Sequence, residues 1–101
     1  MSLSAVAILT AAADNLQEKA ALRDLPDGER SMARTVAAFN AVTGHNLTEV
    51  EGWHFMELLK MCRSNAGSYH ADDHQDRVSY AALAGECASR SQASKGDQGR
   101  L

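Results

Sequence analysis

Along most of this chain apolar residues recur at three- and four-residue steps and almost nowhere alternate, which commits it to helix rather than strand. Val6, Leu9, Ala13, Leu16 and Ala20 form one such stripe and predict a first helix over residues 4–22. The single proline then intervenes: Pro26 disfavours helix at Leu25, and Asp27 is a good N-cap for a second helix over 28–43, striped by Met32, Val36 and Phe39. Gly44 is placed to end it as a left-handed residue. The third helix has the clearest start, because Thr48 and Glu51 stand at the two positions of a capping box. Val50, Trp53, Phe55, Met56, Leu58, Leu59, Met61 and Cys62 cover more than half of its circumference, so it is expected to be the central, most buried helix. Residues 64–68 end it. A fourth helix is expected from Asp72, with Asp72 and Gln75 as a second capping box, and with Val78, Ala82 and Gly85 along one edge and Tyr80, Leu83 and Cys87 along another.

Four helices joined by short connections predict an all-α chain, a small antiparallel four-helix bundle. Few β-branched or aromatic residues and an abundance of alanine point the same way. At 101 residues the chain makes one domain, expected over 1–90. Residues 91–101 lack periodic apolar positions and are expected to form a flexible polar tail. Only 5% of residues are aromatic, so the core is thin in large side chains, and a homo-oligomer that completes the apolar surface is expected.

A formal charge of −3 without any basic stripe disfavours a nucleic-acid binder, whose affinity comes from neutralising phosphates. The first apolar run lacks the preceding Lys or Arg of a secretory leader and falls far short of the ~20 residues that span a membrane. Cytoplasmic action is therefore expected, with no membrane partner. Cys62 and Cys87 fall roughly 22 Å apart along a helical hairpin at 1.5 Å per residue, too far for a disulfide. Both are read as reduced, apolar-packed thiols.

The densest polar cluster joins the third helix to the fourth. Lys60 and Arg63 share one helix face, and Asp73, Asp76 and Tyr80 share another. A hairpin through residues 64–71 sets Arg63 beside Asp73 or Asp76, and Lys60 beside Asp76 or the Tyr80 hydroxyl. Three readings compete: an ion-pair network that fixes the hairpin, a phosphate or nucleotide site formed by Lys60, Arg63, Asp73, Asp76 and Tyr80, and a transition-metal site from His70, His74 and Asp76. No nucleophile–base motif, glycine-rich phosphate loop or paired Cys-x-x-Cys is present, so no catalytic residue is assigned. Arg30 and Arg34, with Arg23 nearby, read as a solvated face or a small anion patch, and Trp53 reads as a core anchor or, at an oligomer interface, a hot spot.

The runs Glu29-Arg30-Ser31-Met32-Ala33-Arg34 through His45, Gly52-Trp53-His54-Phe55-Met56 with Leu58-Leu59-Lys60, Asp72-Asp73-His74-Gln75-Asp76, and Ser79-Tyr80-Ala81-Ala82-Leu83 together resemble a family of small tailed-phage and prophage proteins of unknown function, over about residues 10–90. The resemblance implies a phage origin and action in the cytoplasm of an infected bacterium. A weaker similarity is to the MazG-like all-α nucleotide pyrophosphohydrolases, which hold Mg²⁺ on two pairs of acids. The matching positions are Glu57 and Lys60, then Asp73 and Asp76, so that similarity implies Glu57, Asp73 and Asp76 as Mg²⁺ ligands. Lys60 stands where the family has an acid, which removes a ligand and adds a positive charge. Without that Mg²⁺ chemistry no cofactor is expected. The reading preferred from the sequence is a phage accessory protein that binds a host or defence protein, or sequesters a nucleotide, rather than a catalyst. A degenerate pyrophosphohydrolase and a structural or assembly protein are the alternatives.

Overall fold

The computed structural model describes residues 2–23 and 31–94, with side chains over 2–19 and 31–92. Four helices account for nearly all of it: α1 (Ala5–Arg23), α2 (Ser31–Thr43), α3 (Glu49–Ser64) and α4 (Ala71–Ser94). No strand occurs among the described residues. The expected break at Pro26, the Asp27 cap and the start of the second helix at 28–30 lie outside the described residues, as do the side chains of Arg23 and Arg30 and residues 95–101 of the expected tail.

The starts of α1, α3 and α4 can be read from local bonds. The Ser4 hydroxyl accepts from the Ala7 N–H at 3.0 Å and caps α1. At α3 the capping box forms in full: the Thr48 hydroxyl accepts from the Glu51 N–H at 3.1 Å, and the Glu51 carboxylate accepts from the Thr48 N–H at 2.9 Å. The second expected box does not form. Helix α4 opens one residue earlier, at Ala71, so Asp72 lies within the first turn and not at the cap. There Asp72 and Asp73 still favour the helix through its positive N-terminal dipole. Gly44 ends α2 at φ +78°, its N–H bonded to the Asn40 carbonyl at 2.8 Å. Asn40 then closes the connection to α3 like a clasp: its side-chain amide donates to the Leu47 carbonyl at 3.0 Å and its side-chain oxygen accepts from the Leu47 N–H at 2.9 Å. At the far end α4 continues through Ser94, four residues into the stretch expected to be tail.

Helices α3 and α4 form an antiparallel hairpin, Lys60 meeting Asp76 and Glu49 meeting Arg90, with the most extensive contact among the described residues, and α2 packs on α3. Helix α1 packs on α4. Ser2 and Leu3 just ahead of α1 and Ile8 in its first turn gather with Tyr69 and His74 around the start of α4, while Asn15, Leu16 and Lys19 lie with Asp76, Ser79, Tyr80 and Leu83 further along. Helix α1 therefore ascends α4 in the same direction. Among the described residues α1 and α2 do not pack on each other, so the two sit on different halves of the hairpin.

The core is small. Ala12, Val36, Trp53, Ala84 and Cys87 are its buried apolar residues, with Met32, Val50, Met56, Tyr80 and Leu83 packed around the Trp53–Ala84–Cys87 centre. This revises three sequence expectations. On α1 the buried residue is Ala12, flanked by half-buried Ile8 and Leu16, while Val6 and Leu9 are exposed. Alanine brings the backbones close, so the face that packs is the small one and not the bulky one. On α2 the inward face is Met32, Val36 and Asn40, because the Asn40 clasp turns that edge toward α3 and leaves Phe39 exposed, stacked on His45. On α3 Trp53 is buried as expected, but Phe55, Leu58 and Cys62 face outward. Cys62 is thus a surface thiol, Cys87 a core one, and neither is bonded to the other.

Gly52 sets the α2–α3 approach. A Cβ there meets the Met32 sulfur at 2.5 Å and its Cγ at 3.1 Å. Alanine requires only that the flexible thioether swing aside. A branched side chain cannot be accommodated this way, and α3 is the helix that α2 packs on. Gly52→Val is expected to lower stability by about 1–3 kcal/mol, the usual cost of overpacking. In hydrogen exchange the added opening should concentrate in α2, and equal protection of α2 in both proteins would contradict this packing.

Candidate functional site

The polar cluster expected between α3 and α4 is partly assembled. The Lys60 ammonium lies 2.9 Å from the Asp76 carboxylate, with side-chain exposures of 13% and 23%. Lys60 is one of the few charged groups here held largely out of water. Its pKa is raised above the usual lysine value, chiefly by the hydrogen bond to Asp76, with the charge of Asp76 and the Tyr80 hydroxyl adding to it, against burial and the neighbouring Arg63. Arg63 does not join: it is exposed and forms no ion pair with Asp73 or Asp76. It occupies the last turn of α3, where a cation meets the negative end of the helix dipole. Asp73 is buried at 7% exposure and is reached by neither cation.

The five proposed phosphate ligands are therefore split. Lys60 and Asp76 neutralise each other, Arg63 faces solvent, and Asp73 is enclosed. The two metal readings fare similarly. Among the described residues no three His, Cys, Asp or Glu side chains gather closely enough to hold a metal ion, and this includes Glu57, Asp73 and Asp76 as well as His70, His74 and Asp76. Glu57 approaches His54 at 4.0 Å on its own helix, His74 stacks on Tyr69, and Asp76 holds Lys60.

What the sequence did not reveal is a cavity of about 340 Å³ beside the Lys60–Asp76 pair, lined from all four helices. Among the described residues it lies where α1 and α2 flank the hairpin without packing on each other. Its apolar surface comes from Leu16, Met32, Trp53, Met56 and Leu83, and its polar surface from Asn15, Lys19, Ser31, Thr35, Asp76, Ser79 and Tyr80. Trp53 and Tyr80 stack with ring centroids 5.8 Å apart at 25°. Of the residues singled out from the sequence as ligand-binding, Asp76 and Tyr80 border this space. Ser79 and the α1 residues went unnoticed, although Asp76, Ser79 and Tyr80 at steps of three and one mark a polar edge on an otherwise packed helix face. A second ion pair, Arg90 with Glu49 at 3.5 Å, ties the end of α4 to the start of α3 and was also missed.

The family described as a domain of unknown function (DUF6378) matches residues 7–88. The chain belongs to the DUF6378 family. The matched span reaches from α1 to the last turns of α4 and includes every residue that lines the cavity, so the cavity and the Lys60–Asp76 pair both lie within the DUF6378 unit. No curated protein and no solved structure matches the chain. Among the described residues no helix is long and apolar enough to cross a membrane.

Proposed function

We propose that the protein works by binding: it holds a small molecule in the four-helix cavity and carries out no reaction on it. The observation that carries this reading is the cavity itself, whose size falls at the lower end of the range for small-molecule sites and whose wall combines two stacked aromatic rings with a few polar groups. The state of Lys60 and Asp76 supports it, since a lysine and a carboxylate engaged with each other are poor candidates for gripping phosphate or metal. A phage or prophage accessory role in the cytoplasm of an infected bacterium, by sequestering a small metabolite, accords with the sequence resemblance.

A second feature favours self-association. Glu51, Phe55, Leu58 and Cys62 are exposed along one stripe of α3 at steps of four, three and four, the spacing of a helix-pairing seam. The helix is acidic at its start, Glu51, and basic at its end, Arg63, so an antiparallel second copy sets opposite charges together.

Native mass spectrometry after incubation with the small-molecule fraction of a bacterial extract reads both features. The expected species is twice the 10.8 kDa chain carrying a small adduct. Thr35→Trp, which fills the cavity from an exposed position, should lose the adduct but not the dimer. Phe55→Glu with Leu58→Glu should lose the dimer but not the adduct. A bare wild-type chain would contradict the binding reading, and an adduct that survives Thr35→Trp would move the site elsewhere.

A further inference from the structure

We infer that the ligand of this cavity is a neutral, planar heteroaromatic ring with an amino group on its edge, such as a purine base. The inference rests on the binding reading above and adds the ligand class to it.

Three observations carry the class. The first is the apolar wall. Trp53 is buried at 6% exposure yet lines the cavity, with the Met32 and Met56 thioethers beside it. Flat aromatic rings and polarisable sulfur favour a flat π-system over a branched aliphatic one. The second is the polar edge. Asp76, Ser79 and Tyr80 lie within five residues on one face of α4, and all three line the space. A carboxylate accepts hydrogen bonds at about four positions. Lys60 contacts one oxygen, Asp76 Oδ2, and leaves acceptor capacity for an amino or ring N–H donor. The third is charge. An isolated carboxylate in a wall that also holds a tryptophan and a tyrosine would select an organic cation. Here the Lys60 ammonium at 2.9 Å already balances Asp76, so the edge is polar without net charge and selects a neutral donor. An anionic substituent on the ring, such as the phosphate of a nucleotide, finds a cation in exposed Lys19 among the lining residues, and the ring needs no such group to bind.

The test uses the full chain and the fluorescence of Trp53, the only tryptophan. Adenine, purine, choline, inorganic phosphate and the amphiphilic anionic dye 8-anilinonaphthalene-1-sulfonate are titrated separately. Adenine is expected to change the emission saturably, and purine, which lacks the amino group, to bind about tenfold more weakly, as expected for one lost hydrogen bond. Choline and phosphate should leave the emission unchanged. In Thr35→Trp, with its helical circular dichroism retained, adenine binding followed by calorimetry should fall by at least about tenfold. Equal binding of adenine and purine overturns the donor edge, and a preference for choline or phosphate overturns the neutral ring. If the dye binds the wild type, is excluded by Thr35→Trp, and adenine is silent, the ligand class falls while the cavity remains a binding site. If no probe binds, the ligand class and the binding reading fall together.

Discussion

Replacing Trp53 with alanine is expected to cost about 3–5 kcal/mol of stability, the range for deleting a large buried aromatic. The reason is how little else holds the centre. No large side chain among the described residues is fully buried, and the cluster around Trp53 is otherwise Ala84 and Cys87 with partly buried neighbours. The indole also supplies one ring of the Trp53–Tyr80 stack that joins α3 to α4. Native proteins of this size are stable by about 5–15 kcal/mol, so the variant should melt far earlier and lose much of its cooperativity. Phe55→Ala is the matched control. It also removes an aromatic ring from α3, but Phe55 is 66% exposed, and the cost within one chain should stay near or below about 0.5 kcal/mol. Urea denaturation at low protein concentration compares the two, and similar losses would mean that the inward and outward faces of α3 are wrongly assigned.

The second large effect concerns the Lys60–Asp76 pair. Cutting one partner of a buried pair leaves a charge without compensation and costs about 3–5 kcal/mol. Both side chains here retain some exposure, 13% and 23%, so Lys60→Met and Asp76→Asn should each cost less, about 2 kcal/mol. The double variant Lys60→Met/Asp76→Asn should be more stable than the sum of single losses by about 1–2 kcal/mol, because no stranded charge remains. Independent losses would remove the pair from the account. The raised pKa of Lys60 adds a pH signature. The folded chain holds the proton more tightly than the unfolded one, so the stabilisation is complete below the usual lysine value of 10.5 and is lost as pH rises through the higher folded value. Melting in alkaline buffer should show this decline in the wild type and a shallower one in Lys60→Met.

Helix number, the α3 capping box and the Gly44 stop were legible in the sequence because each is decided within a few residues. The Thr48–Glu51 pair needs only its own backbone, and Gly44 only its own φ. Which face of a helix packs is decided by its neighbours, and there the sequence misled. Val6 and Leu9 are bulkier than Ala12, yet close approach of α1 to α4 selects the alanine. The candidate site divided along the same line. Lys60 and Asp76 were foreseeable as partners because a short hairpin fixes their relative height. The fate of Arg63 was not, since it depends on which way the last turn of α3 faces. The cavity had no local signal, because it depends on how four helices meet, and among the described residues α1 and α2 do not pack on each other. Small inward residues and few aromatics hinted at a loosely filled interior, but not at where the space would lie.

We propose that the four-helix cavity is the binding site and that Lys60 holds and charge-balances Asp76 at its edge. The most direct measurement is the ¹H–¹⁵N correlation spectrum of the full chain on titration with adenine. The account predicts saturable shifts of the single Trp53 indole N–H and of backbone amides at Leu16, Met32, Met56 and Ser79, one from each helix around the cavity. Shifts confined to Arg63, Asp72 and the exposed start of α4, with the Trp53 indole unmoved, would contradict it and return the site to the surface cluster.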